Sequence, residues 1–399
     1  MDREGVLEME GGSHLLTTDH NLHRRRRKPL EPFFSRMGVT RLQGMMADVA
    51  LHLESRLRGF EGQGKVICLD HALSAFSRDI IGRICLGEMT NFSTTPILRQ
   101  NALPSFVQIL SYVPESVLMW VYPQGRVFSV FSNKALSHIR MAMSRPPDKP
   151  ESSISVFHHI VDSDMPPSER SEKRLAKEAQ VLLGGGTAST ARTIGFASYY
   201  ILSQPKIRPK LEEELRDVEL ERLPFLQAII KESLRLAIGL MICLNSLSYG
   251  VMHRLPRVSP DVPIKYKEYE IPVSVRVAPL CTITSLIKLV SRYQWECLHI
   301  MHSDPITYPS PDKFLPERWI GDIDPAMHRS YVPFCRGSRN CLGMNLAMAE
   351  MSLALVVLFR PNGPKMELFE IDESDVKQAH DFLIPLPKLD TKGVRILVR

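Results

Sequence analysis

Apolar residues along this chain recur mostly at intervals of three and four. That spacing predicts helices over Leu175–Leu183, Lys210–Leu236 and Leu342–Phe359, separated by clusters of Pro and Gly. Alternating patterns are short: VPIKYKEYEIP at 262–272 and GVRILV at the C-terminus read as strands. Residues 145–170, rich in Pro and charge, read as polar loop around a short helix. No internal repeat or low-complexity tract is present. The expected fold is therefore mainly α with minor β. The most apolar helical pattern, 342–359, contains Asn345 and Glu350, which suits a core helix better than a membrane span. Residues 1–20 carry no apolar run of the kind a signal peptide or anchor needs.

Composition narrows the class little. The chain has 399 residues, 44% apolar and 24% charged, so it can bury a large core. A net charge of +6 tolerates an acidic partner or an anionic membrane without requiring one. The seven cysteines are odd in number and lack any CxxC pair. This argues against a disulfide framework and against zinc or iron–sulfur ligation, and it suits a reducing compartment. One cysteine changes the picture. Cys341 lies in FCRGSRNCLGMNLAMAE, 334–350, just where a helix is predicted to begin. Free N–H groups and the dipole at a helix start favour a thiolate. Gly337 and Gly343 permit a tight turn and the close approach of a flat ligand. Arg336 and Arg339 can pair with carboxylates, and Phe334 can pack on a ring face. A thiolate ligand for iron is one reading. A buried structural cysteine at a helix start is the other.

The order Phe-x-x-Gly-x-Arg-x-Cys-x-Gly over 334–343 resembles the heme-binding signature of the cytochrome P450 family at every fixed position. KESLRL, 231–236, resembles that family's Glu-x-x-Arg helix at Glu232 and Arg235. FLPERW, 314–319, resembles its Pro-Glu-Arg-Phe-like segment at Pro316, Glu317 and Arg318. The three occur in the family's order, and the resemblance runs from about residue 19 to the end. It implies one P450 domain over 1–399 and a heme b whose iron is bound axially by Cys341, with Phe334, Arg339 and Gly343 around it. It also implies that Glu232, Arg235 and Arg318 form a buried structural network. HRRRRK, 23–28, falls where the family places a heme-contacting helix, and its Trp-x-x-x-Arg pattern lands on His23 and Arg27, with His in place of Trp. Both would serve a heme propionate. Arg257 in LPRVSPD matches a further propionate-binding arginine. The other arginines of the run would form a basic face for an acidic electron-transfer partner. Read alone, the run also suggests a nuclear signal or a nucleic-acid patch. No aromatic interleaving or binding module supports nucleic acid as a partner.

LLGGGTASTART, 182–193, carries three consecutive glycines, each costing a helix about 1 kcal/mol relative to Ala. Either the helix breaks there or something approaches its backbone closely. The resemblance implies the second: a widened oxygen-binding groove with Gly186 and Ser189 as the catalytic positions. The family's acid–Thr pair falls on Ala188 and Ser189. Ala188 has no proton to give, and Ser189 keeps the hydroxyl without the methyl. Thr187 and Thr190 turn to other faces at about 100° per residue. Proton delivery is the step this departure weakens.

The implied activity is that of a heme-thiolate monooxygenase, inserting one atom of dioxygen into an apolar small molecule. Electrons would come from NADPH through NADPH–cytochrome P450 reductase. HRRRRKPLEPFFSR and PRVSPDVPIKYKEYEIP look most like fungal members that oxidise terpenoids and related secondary metabolites. The apolar stretch 103–128 reads either as a substrate entrance with peripheral membrane contact or as core helix. The family implies the cytosolic face of the endoplasmic reticulum membrane; without an anchor the chain would be cytoplasmic. Measured against the family, the chain is expected to be N-terminally truncated, lacking the anchor and part of the β lobe. Segments 237–247 and 273–298 read as insertions. A degenerate heme protein or non-folding fragment without turnover is the alternative.

Overall fold

The computed structural model describes residues 12–87, 136–144, 155–216, 223–239, 262–273, 298–381 and 385–399, apart from a few single positions within them. In chain order the early elements are α1 (His20–Arg27), α2 (Glu31–Phe34), α3 (Arg36–Arg41), α4 (Gln43–Arg58), β1 (Ile67–Cys68) and α5 (Leu69–Leu86). Then come α6 (Val156–Val161), α7 (Glu172–Ser203), α8 (Ile207–Glu214), α9 (Pro224–Gly239), β2 (Ile264–Tyr266) and β3 (Tyr269–Ile271). The last are α10 (Leu298–Ser303), α11 (Pro325–Ser330), α12 (Met344–Phe359), β4 (Met366–Leu368), β5 (His380–Asp381), β6 (Pro385–Leu386) and β7 (Arg395–Val398). They fall into two compact units. One comprises Met1–Ile230, Phe334–Ile371 and Lys392–Arg399; the other comprises Lys231–Pro333 and Asp372–Thr391.

The core of the first unit lies between α5 and α7. Leu73, Phe76, Ile80 and Ile81 of α5 and Leu175, Ala179, Leu183, Ile194 and Ala197 of α7 are all buried. Helix α7 is longer than its pattern predicts and passes unbroken through the three glycines, because packing overrides their local cost. One of them has a packing reason. A Cβ on Gly186 would stand 2.8 Å from Ile81 Cγ1, so only glycine lets the two helices approach this closely. Asp70, in the first turn of α5, accepts the Val394 N–H at 3.0 Å and ties the helix to the small sheet β1-β7-β4. All pairings in that sheet are antiparallel, with Ile67 and Leu368 each opposite Ile396 on the central strand. In the second unit β2 and β3 form a hairpin with Lys265 opposite Glu270.

Two boundaries differ from the pattern. The apolar period across 210–236 suggests one helix, yet Pro224 begins a new one at its first position. The Glu214 carboxylate accepts the N–H groups of Phe225 and Leu226 at 2.7 and 2.8 Å and so caps α9. Helix α12 begins at Met344 behind Gly343, two residues later than predicted. Among the described residues no helix is long and apolar enough to cross a membrane. Segment 103–128, Arg257 and nearly all of the two segments read as insertions lie outside the described residues.

Glu350 of α12 is buried, and burial pushes its carboxyl well above the ordinary range. The Ser77 hydroxyl on α5 offsets part of this, without a well-formed hydrogen bond to the acid. A raised folded-state pKa means that the group's contribution is complete below the unfolded value, about 4.3, and is lost as pH rises through the folded value. Glu350→Gln keeps the shape and removes the titration. Its melting temperature is expected to fall less than that of the wild type as pH rises from about 5 to 8. Parallel pH profiles would show that the folded state does not raise this carboxyl's pKa.

Candidate functional site

The signature segment folds as a closed loop. The Cys341 N–H donates to the Phe334 carbonyl at 2.9 Å, and the Asn340 N–H to the Gly337 carbonyl at 3.1 Å. Closing it requires left-handed backbone at Cys335 (φ 57°) and Gly337 (φ 79°). Such strain at a non-glycine residue costs on the order of 1–3 kcal/mol and persists where the surroundings over-determine it. Phe334 is half-buried, and a Cβ on Gly343 would meet nothing within 4 Å. The Cys341 side chain is exposed and receives the Gly343 N–H. The sequence suggested a thiol with a lowered pKa. Here it is raised, because the surrounding protein desolvates the thiolate by more than the Gly343 N–H and Arg27 return.

Basic side chains surround the loop. Arg27 reaches across from α1, donating to the Asn340 carbonyl at 2.7 Å and to Asn340 Oδ1 at 2.8 Å, with its Nε on Glu31 at 3.1 Å. Arg339 donates to the Thr17 carbonyl. His23 is buried, and its Nδ1 has no hydrogen-bond partner. Burial first, then the charges of Arg339, His14, Arg27 and His20, push its pKa down to about 4, so the ring is neutral at pH 7. Arg26 corrects the expectation of a wholly exposed basic face. It is buried and held by Glu169 at 2.6 and 2.8 Å, 143 residues away, leaving Arg24, Arg25 and Lys28 on the surface.

In the middle of α7 Gly184, Gly185 and Ser189 are exposed, with Ala188 half-buried between them. A Cβ on Gly184 or Gly185 would meet nothing within 4 Å. The structure thus brings Ser189 to an open face, whereas Gly186 turns toward Ile81. The Ser189 hydroxyl donates to the Gly185 carbonyl at 2.8 Å. Thr187 and Thr190 are buried, and Thr187 bonds the Leu183 carbonyl at 2.7 Å. The expected widening is absent: α7 is regular α-helix here.

Within the second unit, one carboxylate organises everything near it. Glu232 accepts from Arg235 at 2.8 and 2.9 Å, from Arg318 Nε at 3.0 Å, from Trp319 Nε1 at 2.8 Å and from the Leu315 N–H at 3.0 Å. Arg235 also donates to the His302 carbonyl at 2.7 Å. Glu232 and Arg235 are buried. Three positions read from sequence therefore meet, joined by Trp319, which stands at the Phe-like position of its segment, and by His302, which no motif names.

The cytochrome P450 family profile matches residues 3–245 and 296–380. The chain belongs to the cytochrome P450 family. Its relatives include cytochrome P450 monooxygenase oblB of Emericella variicolor, 41% identical over 99% of this chain and 74% of the relative. Fusicoccadiene C-8 hydroxylase of Alternaria brassicicola is 38% identical over 97% of this chain and 75% of its own. Stellatic acid synthase of Emericella variicolor is 38% identical over 97% and 74%. The protein is accordingly a P450 monooxygenase, a class that takes electrons from a redox partner and acts on small molecules.

P450s carry heme whose iron a cysteine thiolate holds. The residues of this P450 fit such a group. A thiol opens outward from a strained loop, Gly343 leaves room beside it, and a buried ring nitrogen of His23 lacks a partner. The motif could not disclose Asn340 as the acceptor for Arg27, or Thr17 as the acceptor for Arg339, because both bonds run through groups outside its fixed positions.

Glu232→Ala is expected to cost roughly 3–5 kcal/mol, since it leaves the buried Arg235 guanidinium without its carboxylate and takes a partner from half-buried Arg318. Chemical denaturation reads this directly; a loss below about 1 kcal/mol would mean that water replaces the acid. Arg27→Leu frees the Asn340 end of the loop. Heme occupancy should fall while the far-ultraviolet circular dichroism stays unchanged. Full occupancy in the variant would remove Arg27 from the site.

Proposed function

We propose that this P450 hydroxylates or otherwise oxygenates an apolar terpenoid, with Cys341 as the axial ligand of heme b. The observation that carries the reading is the exposed Cys341 thiol in its closed loop, in the same unit as His23, Arg27 and Arg339. Bound heme supplies the activation of dioxygen. Arg27 and Arg339 would hold its carboxylates by charge-assisted hydrogen bonds, and His23 would donate a further one. The relatives named for fusicoccadiene hydroxylation and stellatic acid synthesis support the substrate class. Electrons come from NADPH through the reductase, which docks on exposed Arg24, Arg25 and Lys28. The enzyme works at the cytosolic face of the endoplasmic reticulum, in peripheral contact with the membrane.

The open face of α7 sets how protons arrive. Gly184 and Gly185 leave space for substrate and water, Ala188 offers no acid, and Ser189 is the hydroxyl exposed on this face. Its proton is engaged by the Gly185 carbonyl, so it must rotate toward water before it can donate.

Cys341→Ser should abolish the red-shifted Soret band of the reduced, carbon-monoxide-bound protein, and Cys335→Ser should retain it. The opposite pattern would assign the ligand to Cys335. Product formed per NADPH consumed should be low, with hydrogen peroxide making up the difference. The double variant Ala188→Glu, Ser189→Thr should raise that ratio, because general acid assistance is worth about a hundredfold or more. A high ratio in the unaltered enzyme would show that ordered water already carries the proton.

A further inference from the structure

A second set of buried charges sits in the first unit, away from the signature loop. Glu178 of α7 is completely buried. Its carboxylate accepts the His14 backbone N–H at 3.3 and 3.1 Å, contacts the His14 ring at Nδ1, and takes Arg174 Nη2 at 2.6 Å. Arg174 also faces Glu169 at 3.4 Å, and Glu169 is the partner of Arg26. The short segment that begins at this clasp is knotted at its other end. Thr17 Oγ1 donates to the Ser13 carbonyl at 2.6 Å and accepts Arg26 Nη1 at 2.8 Å, while the Thr17 carbonyl accepts Arg339. Ser13, His14 and Thr17 are all buried. The His14 ring stands 6.4 Å from that of His23, centroid to centroid. Segment 13–17 is therefore a bridge with Glu178 at one end and the signature arginine at the other.

A buried ion pair is a weak source of stability, because well-packed apolar side chains of similar volume do as well or better. A wholly buried carboxylate at position 178 is better explained by what it fixes. We propose that Glu178 is a positioning residue for the heme pocket. By clasping His14 it holds segment 13–17, and the Thr17 carbonyl then fixes the Arg339 guanidinium for a heme carboxylate. The heme end of this inference rests on the proposed function; the clasp itself does not.

The test is a double-mutant cycle on the full chain with Glu178→Gln and Arg339→Leu, read by heme transfer to an excess of apomyoglobin and by amide hydrogen exchange. Losing a charge-assisted hydrogen bond is worth about tenfold or more. Glu178→Gln should speed exchange at 12–17 and at 334–343 about tenfold and speed heme release by a similar factor. In the Arg339→Leu background the same change should alter heme release by less than about twofold, since the bridge then has nothing to hold. Equal acceleration in both backgrounds would mean that Glu178 is merely structural and would overturn the proposal, as would unchanged exchange at 334–343. If Glu178→Gln does not fold, His14→Ala removes the ring contact while keeping the backbone N–H bond and the Arg174–Glu178 pair, and the same coupled changes are expected at reduced size; no change at 334–343 would overturn the proposal. A wild-type chain without a thiolate-type carbon-monoxide band refutes the proposed function instead. Exchange in the heme-free chain then decides the clasp: coupled acceleration of the two segments supports it, and independent behaviour overturns it.

Discussion

The close approach of α5 and α7 governs much of what the first unit presents. Gly186 admits Ile81 at a distance no other residue would allow, and that contact fixes the rotation of α7 about its axis. Once the apolar stripe from Leu175 to Ile201 faces α5, geometry assigns the remaining positions. Gly184, Gly185 and Ser189 are turned outward. Glu178, about three turns before Ser189 on nearly the same face, meets the N-terminal segment. Asp70 of α5 anchors the same pair of helices to β7 and is the charge that offsets burial of Arg192 on α7. Packing in the core thus decides which chemistry-bearing groups reach the open face.

The signature loop obeys a different constraint. Its backbone is held by two internal hydrogen bonds and by Arg27, which spends both terminal nitrogens on Asn340. That clamp accommodates left-handed Cys335 next to exposed positions. The electrostatics are lopsided: burial first, then the charges of Arg339, His14, Arg27 and His20, push His23 down to about 4. Arginines gathered around an orphan ring nitrogen suit a doubly anionic ligand.

Much of the site was legible in the sequence because its chemistry is local. Phe334 to Gly343 is one loop, and Glu232 and Arg235 are three apart on one helix. What escaped depends on partners distant in sequence. Arg26 looks like its exposed neighbours until Glu169 is brought to it. Gly186 looks like Gly184 and Gly185 until Ile81 is known to face it. The Cys341 thiol looks acidified until the desolvation around it is weighed. The helix across 210–236 reads as continuous by period, and only the weight given to Pro224, with Glu214 as cap, divides it. Period gives the buried face of a helix; it does not give the helix's partner.

The open face of α7 brings these strands together. Every side chain on it is small: hydrogen at 184 and 185, methyl at 188, hydroxymethyl at 189. A carboxylate at 188 would bring a proton, but also bulk and a charge that must be solvated beside an apolar substrate. Replacing it by Ala exchanges proton supply for apolar volume. On the proposed reading, a rigid polycyclic hydrocarbon gains from that exchange, since it fills the space and offers no polar group to satisfy an acid. On the same reading the loss would fall on the proton path, where one hydroxyl, already bonded to its own helix, would have to serve. Volume for substrate and ease of protonation would then be opposed at the same four positions.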